Sequence, residues 1–172
     1  IARVAAARKA LPNARLKVDA NMGYTLSGAL EALRKLCEYG IIYAEQPVAT
    51  IEDMASLRFA IAKEGLPARI AADESIRKAE DPLKVARANA ADLMVIKAAP
   101  LGGVRRALAL VEQAQLPAVV SSALESSVGI ATGASLAASL PTLRYGCGLG
   151  TVSLMAEDVT DEPLIAHDGF MD

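Results

Sequence analysis

The chain has 172 residues, a net charge of −2, 53% hydrophobic and 22% charged residues. That balance excludes a disordered chain, and the mild negative charge gives no reason to expect nucleic acid or an anionic membrane as partner. With 3% aromatics and no tryptophan there is little to stack on bases or sugars, and no apolar run approaches the roughly 18 residues of a membrane span.

The first element is a helix over Ile1–Leu11, which opens without a capping residue or a methionine. From that start we expect a fragment of a longer protein. A first strand, Arg15–Asp19, is followed by a helix whose Leu26, Leu30, Leu33 and Cys37 form one face and which stops before Gly40. A second strand, Ile41–Glu45, leads to a helix started by Thr50 and carrying Met54, Leu57 and Ile61. The third strand, Arg69–Asp73, precedes a helix capped by Asp81-Pro82 and continued by Leu83, Val85 and Ala86. The fourth strand, Leu93–Lys97, is followed by a helix through Val104, Leu108 and Val111 that ends before Pro117. A fifth strand, Ala118–Ser122, a small-residue helix from Ser127 to Leu140 and a sixth strand, Leu143–Cys147, complete the array. Near-continuous apolar strands alternating with amphipathic helices read as an α/β fold with a parallel sheet, open or closed into a barrel.

The polar residues narrow the reading. Asp19, Glu45, Asp73, Lys97 and the pair Ser121-Ser122 end successive strands, 24 to 28 residues apart. That is the rim on which barrel enzymes build their sites. Each acid alone reads as a helix cap and Lys97 alone as a snorkelling surface residue; their recurrence in phase argues against accident. Three neighbouring carboxylates repel unless a hard divalent cation, Mg²⁺ with Mn²⁺ as a substitute, sits among them. His167, the only histidine, lies in the tail and suits neither a zinc site nor a hydrolase triad. The cluster Ser121, Ser122, Glu125, Ser126 and Ser127 opens a helix, where it either binds an anion or merely caps. Gly146-Cys147-Gly148-Leu149-Gly150 lacks the following helix of a dinucleotide fingerprint. Cys37 and Cys147 match no metal or redox spacing and read as reduced thiols of a cytoplasmic protein.

Val18-Asp19-Ala20-Asn21, Ala44-Glu45-Gln46-Pro47, Ala71-Ala72-Asp73-Glu74-Ser75 and Ile96-Lys97 resemble the successive strand-end motifs of the enolase superfamily. Within it, Lys97-Ala-Ala-Pro-Leu-Gly-Gly103, Val120-Ser-Ser-Ala-Leu-Glu-Ser-Ser-Val-Gly129 and Cys147-Gly-Leu-Gly-Thr151 resemble the o-succinylbenzoate synthases, particularly the actinobacterial type.

The resemblance implies part of a TIM-like (β/α)7β barrel, its strands three to eight, without the capping domain and the first two strands. The barrel fragment would occupy 1–155, and the tail 156–172 would pack back on the capping domain. Asp19, Glu45 and Asp73 would bind Mg²⁺, supported by Asn21 and Glu74. Lys97 would be catalytic, and Ser121, Ser122, Glu125, Ser126 and Gly148 would line the substrate. The implied reaction is a syn dehydration of a cyclohexadiene carboxylate to 2-succinylbenzoate in menaquinone biosynthesis, through an enediolate. A small-molecule carboxylate substrate would be a partner, with no nucleic acid and no membrane.

One departure is plain: the Lys-x-Lys motif that supplies the acid/base pair in such enzymes is absent, and we expect it upstream of Ile1. The chain alone would then turn over little or nothing. Rival readings are a dipeptide epimerase, an N-acylamino acid racemase, a muconate-type cycloisomerase, or a non-catalytic fragment keeping only the fold.

Overall fold

A computed structural model describes residues 1–171. The chain divides into two compact units, Ile1–Leu93 and the remainder from Met94.

In the first unit, α1 (Ala2–Ala10) begins without a side-chain cap and buries no residue. Arg8 fastens it instead, its guanidinium donating to the carbonyls of Pro12 at 2.7 Å, Ala14 at 2.8 Å and Tyr39 at 2.9 Å. Strand β1 (Val18–Asp19) leads through Thr25, whose hydroxyl accepts from the Gly28 N–H, into α2 (Leu26–Cys37). Strand β2 (Ala44–Glu45) precedes α3 (Ile51–Glu64), started by the Thr50 hydroxyl accepting from the Asp53 N–H and closed by left-handed Gly65. Both N-terminal signals follow from the hydroxyl acceptor's fit to an otherwise unpaired helical N–H. Strand β3 (Ile70–Ala72) follows, then two single turns, α4 (Glu74–Arg77) and α5 (Lys84–Arg87).

The strands β1, β2 and β3 pair in parallel, with Asp19 opposite Glu45 and Glu45 opposite Ala71. Ile70 of β3 is buried, as are Leu33 of α2 and Met54 and Leu57 of α3. Removing such side chains from water is worth about 1.5–3 kcal/mol each, which is why these short strands hold.

In the second unit, β4 (Leu93–Ile96) enters from the boundary and pairs in parallel with β5 (Ala118–Val120), Val95 lying opposite Val119. Between them α6 (Val104–Ala114) starts after Gly102 and Gly103, both at positive φ, so the pair is a tight turn. Helix α7 (Ser127–Ala138) and a short 3-10 turn, Thr151–Leu154, complete the elements.

Two expectations are corrected. The sixth strand, Leu143–Cys147, does not form: pairing there shrinks to a single parallel bridge between Ser121 and Gly148. Glycines at 146, 148 and 150 flank or occupy it, and a glycine-rich segment loses too much entropy and too many cross-strand contacts to extend as a strand. The helix expected from Asp81-Pro82 is only the turn Lys84–Arg87; the Asp81 carboxylate pairs with Arg87 rather than capping an N–H.

The start of α7 also carries a cap from outside its own neighbourhood. Ser126 makes no side-chain cap bond, while the Ser127 N–H donates to Asp158 at 3.0 Å and the Ser127 hydroxyl donates to the other Asp158 oxygen. The Leu164 N–H donates back to the Ser127 hydroxyl at 2.7 Å, so the tail segment is pinned to the helix. These bonds hold the Asp158 carboxyl below its ordinary value of 3.8. A depressed carboxylate stabilises the fold above its unfolded value and loses that contribution as the pH falls through the folded one. The melting-temperature gap between the native chain and Asp158→Ala is therefore expected to be complete at neutral pH and to close as the pH drops below 3.8. A gap that widens in acid would contradict the cap.

Among the described residues no helix is long and apolar enough to cross a membrane. Neither Cys37 nor Cys147 forms a disulfide, and burial pushes the Cys37 thiol up, away from the reactive thiolate.

Candidate metal centre

Asp19 and Glu45 close β1 and β2 as register partners, so they share one face of the sheet about 4.8 Å apart. Ala71, not Asp73, is the residue opposite Glu45. Asp73 lies one residue beyond β3, at the start of α4. Asp73 begins α4 but makes no side-chain cap bond, which removes the capping explanation for it.

The charges around these groups are unevenly compensated. Partial burial pushes the Asp19 carboxyl above its ordinary value; the Asn21 N–H, at 2.9 Å, pulls it down, and the negative charges of Glu74 and Asp73 push it up again. Asp73 and Glu74 are 3% and 6% exposed, so their charges are poorly screened. Arg77 answers both: its Nε lies 3.2 and 3.3 Å from the two Asp73 oxygens, and its Nη2 lies 2.7 Å from Glu74 Oε1. Glu74 Oε2 is buried and has no hydrogen-bond partner among the described residues.

Gln46 holds this acidic corner in place. It is completely buried at φ 33°, and its side-chain oxygen accepts from the N–H groups of Asp73 at 3.1 Å and Ser75 at 3.2 Å. Its amide donates to Ser75 Oγ at 2.8 Å and to the Val48 carbonyl at 3.0 Å. One side chain thus ties the end of β2 to the start of α4. A cavity of about 340 Å³ is lined by Asp19 and Arg3 together with Val18, Leu33 and Pro47.

Among the described residues no three His, Cys, Asp or Glu side chains are drawn together tightly enough to hold a metal ion. The donor set nevertheless fits a hard cation. Its donors are all acid oxygens, Asp19 is repelled by two neighbouring carboxylates, and a buried carboxylate oxygen of Glu74 stands unpartnered. The structure therefore brings Asp19, Asn21, Asp73 and Glu74 into one electrostatic neighbourhood and sets Glu45 beside Asp19 in the sheet.

In the second unit Lys97 follows β4 and is 8% exposed, so it is no snorkelling surface residue. Ser121, Ser122 and Gly148 meet: the Ser122 and Ser121 hydroxyls donate to the Gly148 carbonyl at 2.9 and 3.3 Å. Thr151 joins them, its hydroxyl donating to Ser122 Oγ at 2.9 Å and accepting from the Glu125 N–H at 3.4 Å. Ser126 stands apart from this network as the start of α7. The larger cavity of about 550 Å³ lies near Pro117 at the opposite end of β5 and holds none of these residues.

Sequence reasoning missed Gln46, Arg77, Thr151 and Asp158. Arg77 was readable, since it lies three and four residues after Glu74 and Asp73. Gln46 and Asp158 act across 27 to 31 residues and carry no local signal.

The enolase C-terminal domain-like family model matches residues 1–172. The chain belongs to that family. It is 49% identical over 172 residues to the o-succinylbenzoate synthase of Thermobifida fusca, covering 99% of this chain and 53% of the relative. It is 54% identical over 170 residues to that of Mycolicibacterium smegmatis, covering 98% and 50%. Among solved structures, muconate cycloisomerase from Pseudomonas fluorescens is similar with a TM-score of 0.85 and 32% identity, over 99% of this chain and 47% of that one. The chain spans about half the length of the curated relatives it matches. The parallel α/β fold expected from the enolase superfamily holds, and half-length coverage agrees with part of its barrel.

Proposed function

We propose that the protein carrying this chain is a Mg²⁺-dependent o-succinylbenzoate synthase. It removes water in syn fashion from a cyclohexadiene carboxylate to give aromatic 2-succinylbenzoate for menaquinone biosynthesis. The observation that carries the reading is an acid at each of three successive strand ends, in a chain about half identical to two such synthases.

In this reading Asp19, Glu45 and Asp73 hold the ion. The cation, when bound, supplies positive charge against the anion that develops on the substrate carboxylate. Asn21 orients Asp19, and Gln46 fixes the start of α4 at Asp73. Lys97 presents an ammonium whose charge favours loss of a proton from the carbon beside the carboxylate. Ser121, Ser122, Glu125, Ser126 and Gly148 receive the succinyl arm, with the Ser122–Thr151 pair fixing the hydroxyl. The barrel part is 1–155, and the tail 156–172, whose Asp172 lies outside the described residues, packs on a capping domain. The protein works in the cytoplasm.

The test uses the full-length protein with Mg²⁺ and the precursor, following the absorbance of the aromatic product. Turnover is expected, is abolished by chelator, and falls at least about 100-fold in Lys97→Ala, the lower end of what a positioned proton-transfer group contributes. The second reading, a muconate-type cycloisomerase, is favoured by the 0.85 TM-score. Turnover of muconate with none of the precursor would decide for it.

A further inference from the structure

Arg77 sits where a cation-binding carboxylate should be free to turn. Both oxygens of Asp73 face its Nε, at 3.2 and 3.3 Å, while its shorter bond, 2.7 Å, goes to Glu74 Oε1. The other Glu74 oxygen is buried and unpartnered among the described residues.

We propose that Arg77 competes with a divalent cation for Asp73 and thereby sets how tightly the metal binds, moving onto both oxygens of Glu74 when it gives Asp73 up. The inference rests on the reading of Asp73 as a metal ligand. A guanidinium is never neutral in a protein, so it and a divalent ion on the same buried carboxylate repel each other. Mg²⁺ needs its oxygens at about 2.0–2.1 Å in a near-octahedral shell, which a carboxylate facing a guanidinium with both oxygens does not offer. Glu74 supplies the alternative seat. A planar fork bonding two oxygens of one carboxylate is the preferred arginine geometry, and Oε1 already holds one prong. The move would also satisfy Oε2, the atom left unpaired when the guanidinium bridges two acids.

The experiment measures Mg²⁺ binding by calorimetry, and melting in chelator, for the native chain, Arg77→Gln and Arg77→Lys. Arg77→Gln is expected to melt lower in chelator yet bind Mg²⁺ about tenfold tighter. Arg77→Lys, a point charge without the fork, is expected to fall between. A residue that only braced the fold would lower stability and affinity together. Unchanged or weaker binding in the variants, with the native chain still binding, overturns the competition and leaves the metal reading standing. A native chain that takes up no Mg²⁺ at millimolar concentration overturns both. Should Arg77→Gln fail to fold in chelator, Arg77→Lys decides by the same criterion.

Discussion

Asp73→Asn is expected to weaken Mg²⁺ binding at least about 100-fold, and to lower the stability of the metal-free protein by about 1–3 kcal/mol. The first figure follows because loss of a mere supporting partner of a ligand already costs 10- to 100-fold, and a ligand is worth no less. The second follows from the pairing: Asp73 is 3% exposed and accepts from Arg77 through both oxygens, and a bond to a charged group is worth about 1.5–3 kcal/mol. Two effects trim that loss. The Arg77 side chain is 26% exposed, so water recovers part of it, and removing one negative charge relieves Asp19. Calorimetric titration with Mg²⁺ and denaturant unfolding in chelator measure the two effects separately. Native affinity in Asp73→Asn would remove Asp73 from the ligand set.

The second large effect is structural in origin. Gln46→Ala leaves two buried N–H groups, those of Asp73 and Ser75, without their acceptor, and strips donors from Ser75 Oγ and the Val48 carbonyl. Each orphaned buried polar group costs about 1–3 kcal/mol, so a loss of about 3–5 kcal/mol is expected in urea unfolding. Since Gln46 fixes the backbone at Asp73, Mg²⁺ affinity should fall with it, about 10- to 100-fold. That pattern is opposite in sign to the one expected for Arg77, where stability and affinity part company. A cost below about 1 kcal/mol would mean that water or a rearranged turn replaces the amide, and Gln46 would lose its assigned part.

The strand-end rhythm of Asp19, Glu45 and Asp73 and the helix start at Thr50 were legible because each depends on residues within one turn or one repeat. Local spacing carries local hydrogen bonds, and an acid recurring once per βα unit marks the same edge of every strand. The sixth strand was misread since its apolar residues spoke for extension, while the glycines beside them removed the side chains a strand needs.

Thus the sequence by itself determined the α/β alternation, the family motifs and the identity of the acidic residues. Only the tertiary structure decided that Ala71 rather than Asp73 faces Glu45, that Gln46 crosses to brace α4, and that Asp158 caps α7. The reason is physical: register and long-range bonds arise from how whole elements pack, and a buried polar group finds its partner in space, not along the chain.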